Sequence, residues 1–492
     1  MKYIKSVFAI WLSTVCFTTA SGQFSKGLNY KIEASAVFSG GENAPFWLSA
    51  NRNGLSSVEN NNGYLRAGIF RPMEKEKKFS YALGLDLAVA YNFTSTFVVQ
   101  QAYADLKYSF LELSVGSKER NPELKNSYLS SGGMTFSNNA RPIPQVRISI
   151  PEYIDIPGTK GLFAVKAHLA YGMFTDDNWQ EHFAAPGSKY TEHVLYHSKA
   201  LYARIGNEKK FPLVFEGGLE MAAQFGGNAF HSSPNSPFID MPNGIKDFFK
   251  VLIPSGGDSN TPYGEQVNVY GNHLGSWNFS LSYKFPEWKI RGYYEHFFED
   301  HSQMFGEYGW KDGLAGLEVT FPKNPVIHTF VYEYIGTKDQ TGPLFHDKDV
   351  VFPDQISALD DYYNHYIYTG WQHWGMGIGN PLLISPIYNE NNLITFRSNR
   401  MKAHHFGFSG NPSDEWGYRM LLTYSRHWGT YFEPLEEIER NFNMLVEVNY
   451  RPKRLKGWEF SLSGALDSSG IIGNNQGGMI RICKTGLLSK KK

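Results

Sequence analysis

The residues with the clearest chemical potential lie together in residues 360–388, which read DDYYNHYIYTGWQHWGMGIGNPLLISPIY. This stretch places carboxylates, amides and imidazoles beside flat aromatic rings. Such a mixture suits sugar binding, because rings cover the apolar face of a pyranose while polar groups bond to its hydroxyls. The candidate contact residues are Asp360, Asp361, Tyr362, Tyr363, His365, Trp371, His373 and Trp374. The alternative is that these aromatic residues form a loop core or an interfacial belt.

Two further groups of polar residues carry possible chemistry. The first contains Asp176, Asp177, Trp179 and His182, in a loop that follows residue 174. The second is EHFFEDH, residues 295–301, whose spacing matches no zinc or calcium signature. The sequence has no GxSxG motif, and adjacent acids such as Asp360 and Asp361 are more often solvated than catalytic. We therefore predict a binding site with no catalytic residues, no metal ligands and no cofactor.

The elements that must position these residues show a two-residue period. In residues 80–91 the odd positions are Tyr, Leu or Val, while the even positions are small residues or Asp86. Similar alternation occurs near residues 213–224, 278–285 and 443–450. One face therefore suits lipid, and the other carries carboxylates that need water, which a wide barrel lumen supplies.

Eighteen such segments can be counted, and the connections between them alternate between short turns and long loops, the last two of which are predicted at residues 428–439 and 466–476. The segments lie near residues 28, 63, 78, 97, 110, 144, 161, 196, 212, 276, 288, 313, 325, 400, 416, 440, 457 and 477. This alternation is typical of an up-and-down barrel with two unlike ends. We predict an all-β fold, a transmembrane antiparallel up-and-down β-barrel of about 18 strands, with both termini in the periplasm and the long loops outside the cell.

Two loops, residues 225–275 and 337–399, are long enough to fold on their own. They contain too many aromatic residues to be disordered. Short helices are predicted at residues 242–252 and 354–368, where Asp354 can cap the first turn. We expect these helices to fold over the lumen or into it.

Composition and the N-terminus agree with export to an outer membrane. Aromatic residues make up 16% of the 492 residues although the mean hydropathy is only −0.37. Residues 1–22 read as a signal peptide, with Lys2 and Lys5 before an apolar stretch, and residues 23–492 as the barrel. Beyond this leader no run of about 18 apolar residues appears, so a membrane-spanning form must be a closed barrel. The net charge is zero and no long basic run occurs, which argues against a nucleic-acid partner.

The sequence resembles the capsule assembly protein Wzi family of outer-membrane barrels. The resemblance is carried by APFWLSANRNG (44–54), RPIPQVRISIPEY (141–153), VKAHLAYGMFTDDNWQ (165–180), FEGGLEMAAQFGG (215–227), GWQHWGMGIGNPLLISPIY (370–388) and KAHHFGFSG (402–410). It spans nearly the whole mature chain. It implies a barrel of about eighteen strands that acts as a lectin, holding exported capsular or exopolysaccharide at the cell surface without cleaving it.

Two other functions stay open from sequence alone. A porin or transporter channel would use a lumen lined by charge, for which Glu216, Glu220 and Glu447 are candidates. An envelope hydrolase is the weaker alternative. For the binding function we expect capsular or exopolysaccharide, outer-membrane lipids and the outer-membrane assembly machinery as partners, and a monomeric barrel in the cell outer membrane.

Overall fold

A computed structural model describes residues 27–233, 236–267, 269–299, 304–305, 310–322, 324–346, 350–351 and 356–488. The predicted signal peptide, residues 1–22, lies outside the described residues and stays a prediction. Among the helices of the described ranges, none has both the length and the apolar character needed to cross a membrane.

Strands are the predominant secondary structure of the described residues. In chain order they are β1 (Asn29–Gly40), β2 (Asn62–Arg71), β3 (Phe79–Tyr91), β4 (Phe97–Tyr108), β5 (Leu111–Ser117), β6 (Gln145–Asp155), β7 (Phe163–Met173), β8 (Tyr190–Glu192), β9 (Leu195–Ile205), β10 (Leu213–Phe225), β11 (Gly227–Ser233), β12 (Ser236–Met241), β13 (Asn272–Lys284), β14 (Lys289–Glu299), β15 (Gly313–Thr320), β16 (Thr329–Gly336), β17 (Thr341–His346), β18 (Ile356–Leu359), β19 (Gln372–His373), β20 (Met376–Gly377), β21 (Met401–Gly410), β22 (Trp416–Gly429), β23 (Pro434–Tyr450), β24 (Trp458–Ser469) and β25 (Asn475–Leu487).

Eighteen of these strands form one closed antiparallel barrel. The barrel closes because β1 pairs with both β2 and β25. The other strands form small sheets in the loops, namely β8 with β11 and β12, β17 with β18, and β19 with β20. Each of the eighteen predicted segments falls on one barrel strand, so the predicted fold class and strand count are confirmed.

The alternation seen in the sequence separates the two faces of the barrel wall. In β3, Leu85 and Val89 are 51% and 57% exposed, whereas Asp86 and Ala88 are buried. Because neighbouring side chains on a strand point to opposite faces, the exposed apolar set forms the outer wall and the buried set faces the lumen. The outer wall is therefore suited to hydrocarbon.

The two ends of the barrel differ as predicted, with one difference in detail. Short turns such as residues 109–110 and 285–288 lie at one end, and loops as long as residues 337–400 lie at the other. Two loops predicted at residues 428–439 and 466–476 are shorter than expected, because β22, β23 and β24 extend into them. Residues 435–440 carry charges at most positions, so the sequence shows no alternation of apolar residues there that would indicate a strand.

The loop helices agree only in part with the sequence prediction. A helix forms at Ile245–Leu252, within the predicted residues 242–252, but it packs on the outer wall of the barrel and not over the lumen. The helix predicted at residues 354–368 is wrong: Ile356–Leu359 forms strand β18. Residues 354 and 355 lie outside the described residues. Further short helices lie at Phe46–Ser49, Trp179–Phe183 and Tyr263–Val267, with a 3-10 turn at Pro386–Tyr388.

Part of the second long loop enters the lumen together with two other loops. We call residues 41–61, 118–144 and 360–400 the plug. Its apolar side chains form one cluster with inward-facing wall residues, and the cluster includes Phe46, Trp47, Leu129, Met134, Tyr362, Tyr363, Trp371, Phe396, Phe297 and Val331. The lumen thus holds a packed core where the sequence predicted water.

Candidate functional site

Inward-facing carboxylates of the wall hold the plug in place. Glu333 of β16 is fully buried and accepts hydrogen bonds from the hydroxyls of Ser130 and Tyr293, each at 2.6 Å. Its other carboxylate oxygen accepts from the amide and the hydroxyl of Ser131, at 2.8 and 2.6 Å. A buried carboxylate is stable only when its oxygens are bonded, and here the plug supplies three of the four donors while Tyr293 of β14 supplies the fourth.

The same arrangement recurs at other carboxylates of the lumen. Glu295 accepts from the amide of Met134 at 2.9 Å and pairs with Lys125 at 2.9 Å. Glu447 lies 3.4 Å from Arg52 of the plug and 3.1 Å from Arg419 of the wall. The sequence makes Glu447 a candidate for a water-exposed lumen charge in the alternative channel function, whereas in the structure it is buried and paired with arginines.

Three aromatic candidates of the second loop are fully buried in the plug. Tyr363 donates its hydroxyl to the carbonyl of Met134 and its amide to Glu299, the latter at 2.5 Å. The indole N–H of Trp371 donates to the carbonyl of Thr135 at 2.8 Å. Tyr362 is equally buried and donates its hydroxyl to Asp312 at 3.2 Å. The rings of Tyr362, Tyr363 and Trp371 are thus covered by protein in this conformation.

The acids at the start of this stretch lie at the edge of the plug. Asp360 is buried, and its amide donates to the carbonyl of Gln340 at 2.9 Å. Asp361 is half-buried and accepts from the side-chain amide of Asn399 at 2.5 Å. Burial raises the pKa of Asp361, an effect that Lys189 opposes. Asp361 is therefore the more accessible of the two acids.

His373 joins two loops inside the protein. Its Nδ1 lies 2.9 Å from the carbonyl oxygen of Arg141, and its Nε2 lies 2.8 Å from the carbonyl oxygen of Thr175 and 3.3 Å from the amide of the same residue. A neutral ring donates from only one nitrogen, so it bonds to one of the two carbonyls, and with the proton on Nδ1 the other nitrogen can accept from the amide of Thr175. Burial lowers the pKa of His373 to about 4, so the ring is neutral at physiological pH.

Trp374 follows directly and is partly exposed. The guanidinium of Arg141 lies 4.3 Å from the centre of its indole ring, a cation–π distance. Arg141 also donates to the hydroxyl of Thr94 at 2.8 Å and to the carbonyl of Gly54 at 3.4 Å. One buried arginine therefore links Trp374 to three other loops.

The other predicted group, Asp176, Asp177 and Trp179, lies next to Trp374. Trp179 is buried with its ring stacked on Phe183 at 4.7 Å, and it lies so close to Gly375 that a side chain there would collide with it. Asp177 is exposed, while Asp176 is half-buried and burial raises its pKa. The fold thus brings together two groups that are almost two hundred residues apart in sequence.

A polar segment that the sequence analysis missed completes this surface. Glu390, Asn391 and Asn392 are exposed, and the carbonyl of Asn392 accepts from the amide of Ala185 at 3.1 Å. The signal was the run NENN at residues 389–392, which is polar but contains no aromatic residue itself. We call residues 176–182, Trp374 and residues 389–392 the rim patch, because they lie in loops at the long-loop end of the barrel.

The third group, at residues 295–301, does not converge on one point. Glu295 faces the lumen, whereas His296 faces outward with its ring stacked on Trp310 at 4.7 Å. Residues 300 and 301 lie outside the described part of the chain. Within the described ranges, no three His, Cys, Asp or Glu side chains are arranged to hold a metal ion.

Comparison with known proteins gives one family and several similar structures. The model of the capsule assembly protein Wzi family matches residues 28–382, well over half of the chain. No curated protein matches the sequence. The solved structures that resemble the barrel include Wzi of Escherichia coli, described as an outer-membrane, carbohydrate-binding β-barrel involved in group 1 capsule assembly.

The Escherichia coli structure has a TM-score of 0.57 and 11% identity, covering 96% of this chain and 86% of its own. OpdL of Pseudomonas aeruginosa has a TM-score of 0.47 and 10% identity, with 94% and 99% covered. OccAB4 of Acinetobacter baumannii has a TM-score of 0.46 and 10% identity, with 94% and 98% covered. By the family match and the closed eighteen-stranded barrel, this chain is an outer-membrane protein that belongs to the capsule assembly protein Wzi family.

Proposed function

We propose that this barrel binds exported capsular or exopolysaccharide through its rim patch and anchors it to the cell surface without cleaving it. The observation that carries the proposal is the plug. Since three loops fill the lumen and are bonded to its wall, the long-loop end presents a surface to the outside. Family membership supports the same function, as does the carbohydrate binding described for Wzi of Escherichia coli.

The rim patch has the chemistry that such a ligand needs. Asp177 and Glu390 offer charged acceptors, Asn391 offers both donors and acceptors, and Trp374 offers part of an aromatic face. Each contact with a sugar ring is weak. A polymer repeats its units, so several weak contacts along one chain give a strong total attachment. Anchoring of a polysaccharide therefore needs no deep pocket.

The remaining predicted site residues have a different place in this proposal. Asp361 lies at the plug edge and can extend the rim patch. Asp360, Tyr362, Tyr363, Trp371 and His373 are buried, so they contact glycan only if the plug moves. We assign them the support of the loops that carry the accessible residues.

A channel is the second candidate function, and one observation favours it. Beneath the plug, near the short turns, lies a cavity of about 870 Å³ lined by both acidic and basic side chains, among them Asp155, Arg204, Lys289, Arg291 and Glu318. A diffusion channel would conduct ions steadily in planar bilayers. The binding function predicts that the wild-type protein conducts little, because the plug occupies the path.

The proposal also covers the partners and the oligomeric state of the barrel. The protein is inserted by the outer-membrane assembly machinery, stands among outer-membrane lipids and acts as a monomer. The monomeric state can be checked by the size of the purified protein. Insertion can be checked by the dependence of folding in cells on the assembly machinery.

The binding proposal is tested with Asp177→Ala combined with Trp374→Ala. Both the affinity of the purified protein for cell-derived polysaccharide and the retention of polysaccharide on cells are measured. A loss of about 1.4 kcal/mol weakens binding about tenfold, and we expect at least that. The matched control is Glu152→Ala, which removes an exposed acid at the short-turn end. Equal binding by the double variant and the wild type contradicts the proposal.

A further inference from the structure

The helix Ile245–Leu252 lies against the outer wall of the barrel. The hydroxyl of Tyr171 on β7 donates to the carbonyl of Phe248 at 2.8 Å. Lys199 on β9 donates from Nζ to the carbonyl of Val251 at 3.0 Å. We call this element the outer-wall helix.

Register shows that these wall residues belong to the outward face. Tyr171 pairs with Val146 of β6, which is 51% exposed on the outer wall. Lys199 lies two residues from Leu201, which is 60% exposed, and on the face opposite to that of the buried Tyr202. The outer-wall helix is therefore level with side chains that face hydrocarbon.

The two sides of the outer-wall helix differ in their contacts. Val251 is buried, and the ring of Phe248 packs at 5.1 Å from both Tyr171 and Phe225. On the side away from the wall, Ile245, Phe249 and Ile253 are 79%, 62% and 72% exposed. These three residues are four apart, so they form one apolar stripe along the helix.

Lys199 gives a second, independent observation. An ammonium group on the lipid-facing side of a barrel strand is costly, because hydrocarbon cannot solvate it. Here the carbonyls at the C-terminal end of the outer-wall helix accept its hydrogen bonds, and the helix covers it. The ammonium group of Lys199 needs this shielding only if lipid reaches its level on the barrel wall. Next to Lys199 an apolar groove of about 520 Å³ continues along the wall, past Leu201, Phe215 and Phe279.

We propose that the outer-wall helix is a membrane-inserted cap, whose apolar stripe lies among the acyl chains of the outer leaflet while its inner side shields Lys199. The stripe contacts lipid, since it continues the lipid-facing outer wall of the barrel. The proposal is independent of glycan binding, because the rim patch does not include this helix.

Site-directed spin labelling in lipid bilayers tests the proposal. In a Cys483→Ser background, a nitroxide is placed at Phe249→Cys on the stripe or at Ser259→Cys in the exposed polar segment 258–260 that follows the helix. Collision rates are then measured with oxygen, which concentrates in hydrocarbon, and with a water-soluble nickel chelate. Heat-modifiable migration on gels shows that each variant is folded.

We expect the ratio of oxygen to nickel collisions to be several-fold higher at position 249 than at position 259. Equal ratios at the two positions would mean that the stripe lies in water, and they would overturn the proposal. Exclusion of both reagents from position 249 with strong spin–spin broadening would mean that a second copy of the chain covers the stripe. That result would overturn it as well.

Discussion

Ser131 of the plug gives both its amide and its hydroxyl to one carboxylate oxygen of Glu333, at 2.8 and 2.6 Å. Both residues are fully buried. The wall therefore holds the plug through charge-assisted hydrogen bonds, in addition to the apolar contacts of the shared core. Such bonds contribute about 1.5–3 kcal/mol each, and their loss leaves buried donors unsatisfied.

Glu333→Ala is expected to loosen the plug while the barrel stays folded. The change removes the acceptor for Ser130, Ser131 and Tyr293, so the loop 118–144 loses about 3–5 kcal/mol of attachment. Ion conductance in planar bilayers should rise and become noisy as the loop moves. Glu216→Ala is the matched control, because Glu216 accepts from Ser280 of the barrel wall and not from the plug. Equal conductance of the two variants would show that Glu333 does not hold the plug.

Two neighbouring tryptophans should differ in their effect on stability and on binding. Trp371→Ala removes a fully buried ring and the bond to Thr135, so it should cost about 3–5 kcal/mol of stability. Trp374→Ala removes a partly exposed ring beside Arg141 and should cost about 1 kcal/mol. The urea midpoint is followed by the gel shift between folded and unfolded forms, which does not depend on tryptophan fluorescence. A larger loss of stability from Trp374→Ala would contradict these assignments.

The sequence allowed the barrel to be predicted almost strand by strand. Lipid on one side and the lumen on the other impose a two-residue period, and β3 with its alternating Leu85 and Asp86 shows it clearly. That period does not depend on distant contacts. The fold class, the strand count and the short-turn end could therefore be read from local pattern alone.

The plug could not be predicted in this way, because its contacts join distant parts of the chain. Glu333 and Ser131 are 202 residues apart, and Trp371 and Thr135 are 236 apart. From sequence, a carboxylate that bonds to water and one that bonds to a loop amide look the same. The predicted site mixed buried rings such as Trp371 with accessible residues such as Asp177 for the same reason.

Arg141 should hold three loops together through its side-chain contacts. It contacts Gly54, Thr94 and Trp374, which lie in three different loops, and burial lowers its pKa to about 10 without removing its charge at neutral pH. Arg141→Ala is expected to raise protease cleavage within residues 41–61 and 370–380 in intact cells. Arg141→Lys keeps the charge but not the planar fork of donors, so it should rescue the wild-type cleavage pattern only in part. Full rescue by lysine would mean that charge alone holds the loops.

The loop around His373 should open more often as the pH falls. The pKa of His373 is about 4 in the folded protein, against about 6.5 when the loop is open, so the open loop binds a proton first. Closure is therefore fully stable above pH 6.5 and weakens as the pH falls from 6.5 towards 4. At pH 5.5 the ratio of open to closed loop should be roughly tenfold higher than at pH 7.5, as calculated from these two pKa values.

Hydrogen exchange of peptides within residues 370–378 measures this opening at pH 7.5 and 5.5, after correction for the intrinsic exchange rate. His373→Gln provides the comparison, because glutamine can keep one hydrogen bond but does not titrate. His365, whose pKa burial lowers to about 3, is present in both proteins, so the difference between them isolates His373. An equal pH response in the two proteins would assign the opening to other groups. A steeper response in the wild type establishes His373 as the residue that keeps Trp374 and the rim patch in place at neutral pH.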